Sequence, residues 1–428
     1  PLERCHGGLI KRILFTRANN FVYFCSMEYT FSRLQNAFQH QLRHTPTQMV
    51  RSAMAQINWK PRLVGIKGAR GVGKTTLVLQ YIKLHLSHQL PETLYVSLDS
   101  LWFAEHSLLD LAELFIQAGG RYLFLDEVHK YPNWSQELKN CYDQFPQLKI
   151  VFTGSSLLEI LNARADLSRR AVMHELPGLS FREYLSLEND RQLPSYSLAD
   201  ILFSHQDIVP TIVDQVTPLR HFPAYLREGY YPFYREHDQA FNQKLQEMVQ
   251  LALDLELPVL RKVETAYLPR IKQLLYIIAQ GVPFIPNATK LSHKIHIERS
   301  TLLRYFHYLA EMNLTHNLFK RARGISQLQK PQKIYLRNPN LMFALADREV
   351  NRGSLRETFL ISQLAPQCQI QYPPFGDFWV EDQYLIEVGG RDKTARQLKN
   401  APQGFMAADQ IEYGHGHKIP LWLFGFLY

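Results

Sequence analysis

Gly68-Ala69-Arg70-Gly71-Val72-Gly73-Lys74-Thr75-Thr76 is the stretch that decides how the rest of the chain is read. Its first eight residues fit the spacing G-x-x-x-x-G-K-[ST], a pattern whose chemistry is phosphate binding. Glycines let the backbone turn tightly and point successive N–H groups at phosphate oxygens. A helix that starts at the end of such a loop adds its positive amino end. The lysine reaches the β- and γ-phosphates and the next hydroxyl can ligate Mg²⁺, which assigns those parts to Lys74 and Thr75. All nine residues are candidate nucleotide contacts, with ATP and Mg²⁺ as the expected ligands. The plainer alternative is a Gly-rich turn with no ligand.

The residues on either side support the first reading. RLVGIKG, ending at Gly68, is a short apolar run of strand type, and KTTLVLQYIKLHL has helical spacing. Four more strand-like runs follow: TLYVSLD, RYLFLDE, LKIVFTG and AVMHELPG. Between them lie SLLDLAELFIQAG, SQELKNCYDQF and SSLLEILNARA, all of helical character. Such alternation predicts an α/β fold over residues 27–177, a parallel sheet covered on both faces. Ligands on these sheets sit at the carboxyl ends of the strands.

Two further strand ends carry polar residues. Tyr122–Leu125 is followed by Asp126 and Glu127. Asp126 is expected to hold magnesium, usually through water, and Glu127 to polarise the attacking water as a general base. Alone, the pair reads as a solvated acidic turn; about 50 residues after a phosphate loop, the catalytic reading is favoured. At the end of the next run, Thr153 or Ser155 could bond the γ-phosphate or the lytic water, or Ser155 could cap the helix that follows. Arg164, Arg169 and Arg170 come next. A guanidinium that stabilises developing charge, in cis or from a neighbouring subunit, would come from such a position, and Arg170 is the candidate.

Taken together, GARGVGKTTLVLQY, YLFLDEVHK, VFTGSSLLEI and LSRRAVMHELPGLSFREYL resemble the AAA-type ATPases of bacteria and archaea, over roughly residues 28–428. The resemblance implies a P-loop NTPase domain, then a winged helix and a restriction-nuclease-like C-terminal domain. In relatives an arginine follows Leu-Ser-Gly; here Arg169 stands at the expected Gly, so Arg169 and Arg170 remain alternatives. Restriction-type nucleases need an Asp and then E-x-K on the next strand to bind metal and activate water. Asp377 and Glu387 have that spacing, but the lysine position is Gly389. Lys393 could reach in from the following loop, though nothing in the sequence shows that it does. The expectation is a nuclease-like fold without cleavage; otherwise Asp377 and Glu387 are plain polar strand residues.

The remaining pattern divides the chain. Residues 178–262 read as a helical lid or connector. Residues 263–345 hold three helical stretches and then a two-stranded hairpin, the outline of a winged helix. Its ERSTLLRYFHYL stretch places Arg299, Ser300 and Arg304 on one face, with Lys320, Arg321 and Arg323 near the wing. That arrangement suits phosphate contacts and groove entry on DNA, or packing against neighbouring domains. His293, His296 and His307 lack metal-ligand spacing and read as solvated. Residues 346–428 return to strands, as a small α/β nuclease-like domain.

Bulk composition limits the classes. The 428 residues are 46% hydrophobic and 20% charged, ordinary for a globular chain. No apolar run approaches the roughly 18–20 residues that span a bilayer, so no membrane partner is expected. Cys5, Cys25, Cys141 and Cys368 have no CxxC spacing and read as reduced thiols of a cytoplasmic protein. The net charge of +9 permits nucleic-acid binding. Residues 1–26 carry four bases against one acid, and the expected natural start is Met27. The leading expectation is an ATP-hydrolysing switch or motor, in which homo-oligomers could form. The alternatives are an ATP-regulated binding module with negligible turnover and an ATP-dependent nuclease.

Overall fold

The computed structural model describes residues 31–154, 167, 169–236, 239–261, 263–320, 330–346, 349–393, 398 and 403–428. The leader before Met27, Ser155, Arg164, Arg321 and Arg323 lie outside the described residues.

Each strand expected around the phosphate loop is present: β1 (Leu63–Lys67), β2 (Thr93–Ser97), β3 (Tyr122–Asp126), β4 (Lys149–Gly154) and β5 (Val172–Glu175). Among the described residues the helices between them are α1 (Lys74–His85), α2 (Leu108–Gln117) and α3 (Trp134–Gln144), and the expected helix SSLLEILNARA lies outside the described residues. In α2, Leu108, Leu111, Ala112 and Phe115 are buried at the i, i+3, i+4, i+7 spacing of a core-facing stripe. Ser107 and Asp110 close its amino end as a capping box.

All five strands run parallel in the order β2-β3-β4-β1-β5. This is the α/β parallel-sheet P-loop fold that the alternation predicts. Because the strands are parallel, their carboxyl ends share one edge. The loop after β1 therefore opens two strands away from Asp126 at the end of β3, with β4 between them.

Beyond the sheet the chain is helical: α4 (Phe181–Glu188), α5 (Leu198–Phe203), α6 (His205–Val213), α7 (Pro218–Ala224) and α8 (Phe241–Leu251). A three-helix module follows, α9 (Leu268–Gln280), α10 (Ala288–Lys294) and α11 (Arg299–Glu311), with the antiparallel pair β6 (Thr315–Leu318) and β7 (Lys333–Leu336). Sequence reading missed α12 (Pro339–Leu345), although its start is marked: Asn338 caps it by accepting from the Leu341 N–H, and Pro339 sits in its first turn.

After α13 (Arg352–Leu364) comes a second sheet, β8 (Ile370–Gln371), β9 (Phe378–Val380), β10 (Tyr384–Gly389), β11 (Gly404–Ala408) and β12 (Lys418–Pro420). Its order is β12-β11-β10-β9-β8, parallel from β10 to β12 and antiparallel at β9. The run Leu421–Phe426 is wholly buried and packs on α4 and α13. Ser180 Oγ and Arg182 Nε both donate to the Tyr428 carbonyl, at 2.7 and 2.8 Å. The last residues thus fold back onto the segment that follows the P-loop sheet.

Candidate functional site

The phosphate loop is built on two glycines with left-handed backbone, Gly71 (φ 78°) and Gly73 (φ 92°). A side chain at either position would be strained, which accounts for the residue type. Gly73 stands at the amino end of α1, so Lys74 and Thr75 occupy its first turn. Lys74 is buried and folds back on its own loop, Nζ donating to the carbonyls of Gly68 (3.1 Å) and Ala69 (3.0 Å). Burial lowers its proton affinity, while Glu127 and Asp126 act against that shift.

Asp126 is the hub. Thr75 Oγ1 donates to its Oδ2 at 2.6 Å, and Tyr95 Oη donates to the same oxygen at 2.7 Å. Thr153 Oγ1 donates to Oδ1, which also accepts from the Glu127 N–H at 3.1 Å. Thr153 is buried and turned towards Asp126, so it braces the carboxylate from β4. Thr75 and Asp126 are oxygen donors side by side, a set suited to Mg²⁺. Among the described residues no group of three His, Cys, Asp or Glu side chains could hold a metal alone. A magnesium here would take much of its shell from phosphates and water, as that ion commonly does.

Glu127 turns out of the strand with φ 54° and is about one-fifth exposed. Burial raises its proton affinity, Lys74 opposes that, and Asp126 adds to it. His129, 3.7 Å away, is pushed down to about 4 by burial and by Lys74, so it is neutral at pH 7. Lys130 Nζ stands 3.7 Å from Glu127 and pairs closely with Asp99 at 2.7 Å.

A cavity of about 920 Å³ continues from the loop between Pro46, Gln48 and Met49 on one wall and Pro232, Phe233 and Arg235 on another. Beneath the loop, Arg51 donates to the Val72 carbonyl (2.9 Å), to Pro177 and Gly178 carbonyls (3.0 and 2.9 Å), and to Glu183 (2.9 Å). Arg51, Tyr95 and Phe233 escaped sequence reading. Only Glu183 carried a local signal, as the fourth residue of the capping box opened by Ser180.

Arg170 lies at the amino end of β5, whereas the loop leaves the carboxyl end of the neighbouring parallel β1. Its Nε and Nη2 clasp both oxygens of Asp143, at 3.0 Å each. Arg170 therefore does not meet the P-loop of its own chain. Arg169 is exposed nearby. On the three-helix module, Arg299, Ser300, Arg304 and Lys320 are exposed, as are His293, His296 and His307.

The second sheet departs from expectation at one residue. Glu387 on β10 is 1% exposed, and Lys393 returns from the following loop to place Nζ 2.8 Å from its Oε1. A Cβ on Gly389 would lie 2.3 Å from Lys393 Cδ and 2.7 Å from its Cβ. Lys393 thus fills the space that a side chain at position 389 would take. Asp377 is adjacent, its Oδ2 accepting from the Val388 N–H at 2.8 Å. Lys333 of β7 stands 3.7 Å from Asp377 and 3.6 Å from Glu357.

A family model described as an AAA domain matches residues 60–185, the span of the first sheet and its loop. A second, described as a domain of unknown function, DUF8612, matches residues 219–352. Among curated proteins the chain is similar to the uncharacterized protein MJ1637 of Methanocaldococcus jannaschii, 27% identical over 394 residues, 85% of this chain and 82% of that one. Among solved structures it is similar to the S. cerevisiae Hsp104:casein complex, with 17% identity, a TM-score of 0.29, and coverage of 36% of this chain and 31% of that chain. It is also similar to AMPPCP-bound DnaA from Aquifex aeolicus, with 13% identity, a TM-score of 0.25, and coverage of 58% and 81%. The chain spans about a third of the length of the Hsp104 chain. Residues 60–185, which carry the loop, Asp126 and Glu127, thus match the AAA-domain family model.

Proposed function

We propose that this chain binds ATP with Mg²⁺ at Gly68–Thr76 and hydrolyses it to drive a conformational switch in the helical modules. The observation that carries this reading is the 2.6 Å hydrogen bond from Thr75 to Asp126, which joins the phosphate loop to the acidic end of β3. Loop N–H groups would cradle the phosphates, and Lys74 would exchange the Gly68 and Ala69 carbonyls for phosphate oxygens. Thr75 and Asp126 would hold Mg²⁺, which when bound neutralises charge on the phosphates. Glu127, holding its proton more tightly than a free glutamate, suits the role of general base towards water. Lys74 favours its ionised form.

With Arg170 remote from its own loop, an arginine contributed there would act on a neighbouring copy, which links full turnover to self-association. The exposed Arg299, Arg304 and Lys320 suit contact with DNA phosphates. Equilibrium titration with ATP and Mg²⁺ tests the binding step. Wild type should saturate and Lys74→Ala should bind at least tenfold more weakly; equal affinities contradict the assignment. A binding module without turnover would bind ATP stoichiometrically but release no phosphate beyond one equivalent.

One observation favours a second reading for the C-terminal sheet, metal-dependent phosphodiester cleavage: Lys393 beside Glu387 makes good the missing lysine. Glu387 Oε2 also has no hydrogen-bond partner among the described residues. Plasmid and linear DNA incubated with Mg²⁺ or Mn²⁺ should be cut by wild type and not by Lys393→Ala. Intact DNA with wild type in both metals removes this reading.

A further inference from the structure

A helix outside the AAA-type domain aims a carboxylate at the phosphate loop. It runs as α8, widens into a π turn over Ala252–Glu256, and resumes over Leu257–Arg261. Pro258 accounts for the widening, since it has no N–H and its ring crowds the carbonyl four residues earlier, at Asp254. Such π turns recur at functional sites. Met248 of this helix packs on the loop: a Cβ on Gly71 would stand 2.9 Å from its Cε. Further along, Glu256 Oε1 lies 3.9 Å from Nη1 of Arg70, itself a loop residue, and the glutamate is only 17% exposed. The charge of Glu256 is felt by Lys74, and Glu256 in turn feels Glu127 and Lys130 at the end of β3.

The same helix grips the three-helix module with its other charges. Asp254, in the same π turn, accepts from Lys272 of α9 at 2.6 Å. Arg261 holds both carboxylate oxygens of Glu311 on α11, at 2.5 and 2.6 Å. One helix thus touches the nucleotide loop at two residues, Gly71 and Arg70, and the module at two, Lys272 and Glu311.

We infer that Glu256 is the residue by which the site tells ATP from ADP, and that its helix passes the difference to the three-helix module. The inference rests on the nucleotide-binding reading above. A γ-phosphate brings negative charge to a place where Asp126, Glu127 and Glu256 already stand, and it competes with Glu256 for Arg70. Asp126 is engaged by Thr75, Tyr95 and Thr153, and Glu127 is on the domain that carries the loop. Glu256 is the carboxylate borne by a separate element, so repulsion is relieved by moving that helix. ADP ends one phosphate short and leaves the Arg70–Glu256 pair in place. At partly shielded separations of several ångströms, one like-charge pair shifts an equilibrium by on the order of tenfold.

The test compares full-length wild type with Glu256→Gln, which keeps the shape and removes the charge, and with Glu256→Ala as a second variant. Affinities for Mg²⁺ with AMPPCP and for ADP are measured by titration, and hydrogen exchange is followed over residues 241–261 and 268–311. Both variants should bind AMPPCP about tenfold more tightly while ADP affinity moves less than about twofold. In wild type AMPPCP, but not ADP, should speed exchange in both segments, and the variants should lose that response. An unchanged AMPPCP-to-ADP ratio in the variants overturns the discrimination, and an exchange response retained without the charge overturns the relay. Wild type that binds neither nucleotide overturns the nucleotide reading itself, a result distinct from binding with an unchanged ratio.

Discussion

At the scale of the residue, the candidate chemistry turns on which carboxylate holds still and which is exposed to reaction. Asp126 accepts four hydrogen bonds, from Thr75, Tyr95, Thr153 and the Glu127 N–H. The Glu127 carboxylate, one residue on, makes only longer contacts among the described residues, at 3.7 Å to His129 and Lys130. In the proposed mechanism these two adjacent carboxylates divide into a fixed metal ligand and an available base. The raised proton affinity of Glu127 gives a pH prediction. A base must be deprotonated to act, so phosphate release at saturating Mg²⁺-ATP should fall as pH drops through a value above the ordinary glutamate range near 4.5. A pH–rate profile flat down to that range would contradict the role. Burial and the neighbouring Lys74 push His129 down to about 4, on the acid side of that limb. The motif residues of this site were legible in the sequence because they are adjacent or regularly spaced. Tyr95 and Arg51 were not: they reach Asp126 and Glu183 across 31 and 132 residues, and nothing local announces such a meeting.

At the scale of the element, the five strands and their helices follow from apolar runs and 3.6-residue stripes, which is why the first sheet was readable in full. The C-terminal sheet was readable as strands but not as a site. A glycine inside a strand signals either weakness or close approach of another group. At Gly389 it is close approach, since Lys393 occupies the space a Cβ needs. Gly389→Ala should therefore destabilise the chain by about 1–3 kcal/mol in urea unfolding, as overpacking does. In a Lys393→Gly background the same substitution should cost less, because the opposing atoms are gone. Equal costs in the two backgrounds would show that Lys393 is not held over Gly389. The non-additivity is the point of the comparison, since residues in contact couple and distant ones do not.

At the scale of the whole molecule, the segment that closes the chain and the loop that would bind nucleotide are tied to one helix. Arg51 joins the Val72 carbonyl of the loop to Glu183 of α4. The same helix region, through Ser180 and Arg182, holds the Tyr428 carbonyl. Glu183 is buried; burial alone would raise its proton affinity, but the Arg51 charge and hydrogen bond bring it below the ordinary value. Its contribution to stability is thus present at neutral pH and lost as pH falls through the lowered value. Arg51→Met would remove the nearest opposing charge from that carboxylate, leaving it the Ser52 and Ser180 donors and Arg182 at 3.9 Å, and should cost about 3–5 kcal/mol, with nucleotide affinity falling alongside. Chemical unfolding at pH 7 measures it; a loss below about 1 kcal/mol would mean the pair is not load-sharing between the two regions. The central claim remains that Asp126 and Glu127 make the Gly68–Thr76 loop hydrolytic, and steady-state phosphate release from Mg²⁺-ATP by wild type and Glu127→Gln tests it most directly. The account predicts sustained release by wild type and a loss of at least about a hundredfold in the variant, with ATP still bound; equal release by the two proteins would contradict it.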